Sequence, residues 1–214
     1  MATLKISIHS LSPEPEKIRQ VAQELSNGAV ILYPTDTGFS LGCQLSNKEA
    51  IARIRAIRDL PETKALTFLC ESLSNIAEFA KVTNNAYRTI RHLVPGPYTF
   101  ILPASRAVPR FAQDPKRQTA GIRVPKHKIA CALLKEFGAP IVSISAKSNN
   151  DTFSFPEEIL ELLENQVDVV ISSDMYNFAG ESTVIDMTTD EFSIVRPGAG
   201  MDRALEFVNV AELA

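Results

Sequence analysis

Residues 29–33, Ala-Val-Ile-Leu-Tyr, form an unbroken apolar, β-prone run in which no charged or small polar residue alternates. A strand of that kind has to be covered on both faces, so a sheet built on it needs helices on either side. The flanking segments supply them. Upstream, residues 5–9 read as a short strand. Ser12-Pro13-Glu14 then offers an N-cap, a proline at the first helical position and an acid in the first turn. The helix predicted over about 13–26 puts Ile18, Val21, Ala22 and Leu25 on one face and ends at Asn27-Gly28. The apolar strand itself is expected to stop at Pro34. Downstream, Asn47 caps a predicted helix that runs to about Arg58, with Ile51, Ile54 and Ile57 as the buried stripe and Arg53 and Arg55 off it.

The alternation continues. Residues 65–70 are strand-like, and a helix over 84–93 ends at Pro95-Gly96-Pro97. Further strands are expected at 98–102, 119–124, 141–145, 167–172, 182–187 and 192–196, with helices near 129–137 and 156–163. Some of these strands are joined too closely for helical crossovers. The pattern therefore predicts an α/β fold, a single domain over 1–214 with flanking helices around one twisted mixed sheet of parallel and antiparallel strands. A chain of 23.5 kDa can bury about 70% of its unfolded surface without disulfides or metals. Cys43, Cys70 and Cys131 match neither a disulfide framework nor a CxxC metal or redox spacing, so a reducing cytoplasmic setting and no structural metal are expected. No apolar leader opens the chain, and its longest aliphatic stretches of about five residues fall far short of the roughly 20 a membrane helix needs, so no membrane partner is expected.

The formal charge of −3 hides a strong polarity. Residues 81–128 hold ten Lys or Arg against Asp114 alone, a balance of +9, while residues 151–191 hold eleven Asp or Glu and no Lys or Arg. Such a basic segment is either a polyanion-binding surface or a solvated face, and charge alone does not choose.

No GxxxxGK[ST] loop, GxGxxG or GxSxG occurs, and His9, His92 and His127 do not cluster with other metal ligands. The informative segment is Tyr33-Pro34-Thr35-Asp36-Thr37-Gly38-Phe39-Ser40-Leu41-Gly42-Cys43, which leaves the apolar strand and gathers hydroxyls, a carboxylate and glycines in a turn. Strand ends of α/β sheets are where ligands collect. Taken alone, Asp36 is as readily a turn cap. It does not stand alone, because five more blocks follow in order: Arg58-Asp59-Leu60-Pro61-Glu62-Thr63-Lys64-Ala65-Leu66, Pro95 to Leu102, Gly121-Ile122-Arg123-Val124-Pro125, Ser182-Thr183-Val184-Ile185-Asp186, and Arg196-Pro197-Gly198.

In that order and spacing the blocks resemble the YrdC-like family, which includes the threonylcarbamoyl-AMP synthases and the YciO proteins, over about residues 8–200. The resemblance implies a YrdC/RibB-like fold whose sheet lines a positively charged concave cavity. It also implies condensation of L-threonine, bicarbonate and ATP into threonylcarbamoyl-adenylate and pyrophosphate, the group then passing to an adenosine of tRNA. By the same resemblance Arg58, Lys64, Ser145 and Arg196 meet ATP, with Arg58, Lys64, Ser145 and Lys147 the catalytic set. Thr35, Arg123, Ser143 and Ser182 would hold threonine, an arginine being suited to bidentate capture of its carboxylate. Mg²⁺ is expected with ATP, bound through phosphate oxygens and water.

The departures are specific. Synthases of the family carry Lys-x-Arg before a proline and later Ser-x-Asn, where this chain has Arg58-x-Leu60 and Ser145-x-Lys147. Together with Thr67-Phe68-Leu69-Cys70 and the segment that opens Phe153-Ser154-Phe155-Pro156, this pattern resembles the YciO branch. The alternative expectation is a binder of tRNA or double-stranded RNA that uses the basic segment without catalysis, its affinity falling steeply with salt. Few aromatics and no RNP1-like signature argue against sequence-specific single-strand recognition.

Overall fold

A computed structural model describes residues 2–147 and 155–210. In chain order the elements are β1 (Leu4–Ser7), α1 (Pro15–Ser26), β2 (Ile31–Thr35), β3 (Gly38–Gly42), α2 (Lys48–Ile57), β4 (Thr67–Leu69), α3 (Leu73–Phe79), α4 (Asn84–Leu93) and β5 (Tyr98–Pro103). The second half adds β6 (Thr119–Arg123), α5 (Lys128–Phe137), β7 (Ile141–Val142), β8 (Ile144–Ser145), α6 (Glu158–Leu163), β9 (Val169–Ser172), β10 (Thr183–Asp186), β11 (Ser193–Arg196), α7 (Met201–Ala204) and β12 (Asn209–Val210). The α/β class with mixed pairing is as expected. The expected single sheet is instead two, in the orders β1-β9-β2-β3-β8 and β12-β11-β10-β5-β6-β4-β7.

The split has a local cause. The segment predicted as one strand over 141–145 changes sheets at Ser143: β7 pairs antiparallel with β4, and β8 pairs antiparallel with β3. Ser143 itself donates its backbone N–H to Thr67 O at 2.8 Å, and a bridge from Gln44 to Ile141 ties the sheets at the same place. β2 is the central strand of the first sheet, as its composition demanded. Ile31 and Tyr33 pack on one side with Val21 and Leu25 of α1 and Ile129 and Leu133 of α5, while Val30 and Leu32 face the larger core that holds Phe68, Phe100 and Ile122.

Four local expectations are corrected. The first helix begins at Pro15, with Glu14 rather than Ser12 at the N-cap position. A residue that precedes proline is pushed out of the helical region, and Glu14 is extended at ψ 122°. β2 continues through Pro34 to Thr35, because its neighbour β9 pairs only as far as Leu32 and no ladder on that side needs the missing N–H. Arg55 lies on the buried face of α2, not off it. The glycine-rich stretch after Thr37 is also a strand, β3, rather than an extended turn. Other boundaries agree within a residue or two, including the Asn47 cap, whose side chain accepts from Ala50 N at 3.0 Å. Among the described residues no helix is long and apolar enough to cross a membrane.

Gly42 sits where the two sheets meet. A Cβ there would lie 2.6 Å from Tyr33 Cε1 and 2.9 Å from Val142 O. Gly42→Ala is therefore expected to destabilise the fold by about 1–3 kcal/mol in urea unfolding, the usual cost of overpacking, and an unchanged midpoint would show that the junction yields.

Candidate functional site

A cavity of about 350 Å³ opens between the two sheets. Its floor starts at the hairpin β2-β3. The Thr35 hydroxyl donates to Gly38 O at 2.8 Å and accepts from Thr37 N at 3.2 Å, which closes a tight turn around Asp36-Thr37. Thr35 is fully buried behind the wall and does not line the cavity; Thr37, two residues on, does.

The turn is held to the second sheet by a buried ion pair. Arg123, at the end of β6, donates through Nη2 to Asp36 Oδ1 and through Nη1 to the Thr37 hydroxyl, the latter at 2.5 Å. Arg123 is 4% exposed and Asp36 8%. Burial pushes the Arg123 guanidinium below its ordinary range, and the Asp36 carboxylate opposes that shift. Arg123 Nε, Asp36 Oδ2 and the Tyr33 hydroxyl have no hydrogen-bond partner among the described residues. Burial likewise pushes the Tyr33 phenol up, opposed by the nearby Ser143 hydroxyl and Arg123.

A second wall comes from β5, β10 and β11. The Ser182 and Thr99 hydroxyls share a hydrogen bond of 2.9 Å, and Arg196 Nη2 donates to Ser182 O and Oγ at 2.9 and 3.1 Å. Arg196 also lies 3.5 Å from the Glu181 carboxylate. Gly198 is required beside them, since a Cβ there would come within 2.6 Å of the Ser182 carbonyl carbon. The third wall is the end of α2 with its following loop, where Arg58, Leu60 and Lys64 face the cavity beside Ser143, Ser145 and Lys147. Arg58 donates to Ser145 O at 2.7 Å and to Lys147 O at 2.8 Å.

Eight of the nine residues expected at a site, all but Thr35, therefore line one cavity. Ser148, Asn149, Asn150, Phe153 and Ser154 lie outside the described residues. Several lining residues were missed. Thr37 neighbours the motif residue that was chosen in its place. Arg117 lay in the basic run, and its place on the wall is fixed by contacts no spacing reveals: Asp186 Oδ2 at 2.6 Å and the Thr188 hydroxyl at 3.1 Å. Burial pushes the Asp186 carboxyl up, but hydrogen bonds from Thr188 and Arg117 outweigh it and hold the carboxyl below its ordinary range. Two residues of the acidic stretch meet this site: Glu181 lines the cavity and Asp186 anchors Arg117. The lining holds six Lys or Arg side chains against Asp114 and Glu181.

Comparison with known proteins gives a consistent picture. Residues 23–198 match the Sua5_yciO_yrdC family, whose description is telomere recombination. An uncharacterised protein of Escherichia coli, YciO, is 42% identical over 197 residues, covering 90% of this chain and 94% of its own. A crystal structure of E. coli YciO superimposes with a TM-score of 0.88 at 39% identity, covering 96% of this chain and all of that one. A threonylcarbamoyl-AMP synthase of Halorhodospira halophila is 37% identical over 133 residues, 62% of this chain and 69% of the enzyme. Sua5 of P. abyssi, in a crystal structure with L-threonine, superimposes with a TM-score of 0.86 at 26% identity over 98% of this chain and 63% of its own.

Removing one partner of a buried pair leaves the other charge uncompensated. Asp36→Ala is expected to cost about 3–5 kcal/mol of unfolding free energy, read from urea titration; a loss below about 1 kcal/mol, the range of exposed pairs, would show that Asp36 does not hold Arg123.

Proposed function

The chain belongs to the Sua5/YciO/YrdC family, and on that premise we propose that its cavity binds ATP and L-threonine and joins them, with bicarbonate, as threonylcarbamoyl-adenylate. The observation that carries this is the convergence in one cavity of a buried, oriented arginine and several further cations. Arg123 is buried and pre-set by Asp36, so its fork meets a threonine carboxylate without first being ordered. Thr37, Ser143 and Ser182 stand beside it with short hydroxyls suited to the polar remainder of an amino acid. The relative crystallised with L-threonine supports placing that substrate here.

The chemistry asks little covalent work of the protein. The threonine amine adds to the carbon of bicarbonate, with loss of water, to give a carbamate. A carbamate oxygen then attacks the α-phosphorus of ATP, a new P–O bond forms, the bond to the β-phosphate bridging oxygen breaks, and pyrophosphate leaves. Catalysis is mainly alignment of the two substrates and neutralisation of phosphate charge. Lys64, Lys147 and Arg196 supply that charge, with Arg58 and Ser145 beside them at the nucleotide end. Mg²⁺ enters as part of the nucleotide. Among the described residues no three His, Cys, Asp or Glu side chains gather as a metal site, so the ion would be met through phosphate oxygens and water.

Leu60 sits on the cavity wall where synthases of the family carry arginine. Losing a charge-assisted hydrogen bond costs roughly 1.5–3 kcal/mol, about one to two orders of magnitude in rate if it acts in the transition state. The product serves tRNA threonylcarbamoyladenosine formation, at a slower rate than in the principal synthases. Of the basic run that would form an RNA surface, Arg117 lines the cavity, paired with Asp186 while half of its side chain stays exposed.

Incubation of the purified protein with ATP, radiolabelled L-threonine and bicarbonate is expected to give labelled adenylate and pyrophosphate, and Leu60→Arg is expected to raise the rate about tenfold. Absence of adenylate from both proteins would overturn the proposal.

A further inference from the structure

Of the six cations on the cavity wall, four are engaged with other protein groups. Arg123 holds Asp36 and Thr37, Arg196 holds Ser182, Arg117 holds Asp186, and Arg58 holds two backbone carbonyls. Lys64 and Lys147 differ. Among the described residues neither ammonium has a hydrogen bond or an ion pair. Each therefore keeps three N–H donors for a ligand.

Their backbones, by contrast, are clamped from one helix. Arg55 and Arg58 stand three positions apart, so they lie on neighbouring parts of one helix surface. Arg55 is 7% exposed, and its guanidinium donates to Pro61 O at 2.7 Å and to Lys64 O at 2.8 Å. Arg58, the residue that caps α2, donates to Lys147 O at 2.8 Å and to Ser145 O at 2.7 Å, while the Ser145 hydroxyl also donates to Lys147 O at 3.2 Å. The same two arginines thus grip the carbonyl of each of the two lysines whose side chains are unspent. Among the described residues no carboxylate lies within ion-pair distance of Arg55. A buried charge is tolerated when its donors are satisfied by oriented carbonyls, and here those carbonyls belong to the loop that carries Leu60 and Lys64.

We propose that Arg55 and Arg58 are positioning residues, each holding through its backbone one of two lysines, Lys64 and Lys147, that meet the phosphates of the nucleotide. This rests on the reading of the cavity as a nucleotide site. It changes the division of labour expected from sequence, in which Arg58 itself faces the phosphates. With leucine at position 60, the charge comes from a lysine on either side of the α2 terminus, and the arginine between them fixes where the second one starts. A flexible four-carbon stem gains most from such anchoring, since less conformational freedom remains to be lost on binding.

The test is a double-substitution cycle read by calorimetry with inorganic tripolyphosphate and ATP as titrants, using L-threonine as a second ligand. Arg58 is partly exposed at a helix end, so Arg58→Gln leaves the core intact. Lys147→Met and Arg58→Gln are each expected to weaken tripolyphosphate binding roughly tenfold. The double variant is expected to be no weaker than Lys147→Met alone, because Arg58 acts through Lys147. L-Threonine affinity should stay within about twofold in all three. Lys64→Met and Arg55→Gln form the parallel cycle, with urea unfolding run beside it because Arg55 is buried. Multiplying effects, about a hundredfold in the double variant, would place Arg58 on the phosphates and overturn the positioning role while leaving the nucleotide site standing. Unchanged affinity in Lys147→Met would also overturn it. Failure of the unsubstituted protein to bind either titrant would remove the nucleotide site itself and the proposal with it.

Discussion

The buried pair of Asp36 and Arg123 joins the two sheets at the point where the cavity begins. Asp36 belongs to the hairpin of the first sheet and Arg123 to β6 of the second, so the bonds from Arg123 to Asp36 and Thr37 tie the two sheets together where the cavity begins. A buried pair of this kind adds little net stability compared with apolar packing, but breaking it is costly. Its consequence is conformational: the arginine fork is held at one orientation, with Thr37 beside it and Nε without a hydrogen-bond partner among the described residues. Positional certainty is what a carboxylate-binding group needs.

The same economy of charge runs through the other walls. Arg117 is set by Asp186 and Thr188, Arg196 by Ser182 and Glu181, and the end of α2 by carbonyls of two loops. The basic run and the acidic run, far apart in the sequence, meet at the cavity through these contacts. The net charge of the lining is thereby moderated without being cancelled. Substrate phosphate and carboxylate groups then replace solvent against dipoles and charges that are already in place.

Much of this was legible in the residues. The strand buried on both faces, the Asn47 cap and the helix end at Asn27-Gly28 follow from local physics that tertiary structure did not override. The ordered blocks located most of the cavity lining because their residues sit at strand ends and sheet junctions. What was not legible depended on contacts far apart in the chain. Pro34 lies inside a strand because the pairing of β2 with β9 stops two residues earlier, Ser143 divides one predicted strand because two sheets compete for it, and Arg55 is buried because carbonyls from Pro61 and Lys64 come back to it. Spacing alone puts position 55, four residues after Ile51, on the buried stripe; its charge argues for the solvent side, and the carbonyls that come back to it make the buried place tolerable. Thr35 and Thr37 are alternatives that only the geometry of the turn separates.

The central claim is that Arg123, pre-set by Asp36, is the carboxylate-binding group of the cavity. Calorimetric titration of L-threonine into Arg123→Lys tests it most directly, since lysine keeps the charge and loses the fork. Binding at least tenfold weaker than in the unsubstituted protein, with the unfolding transition still cooperative, is the predicted result. Equal affinity in the two proteins would contradict it.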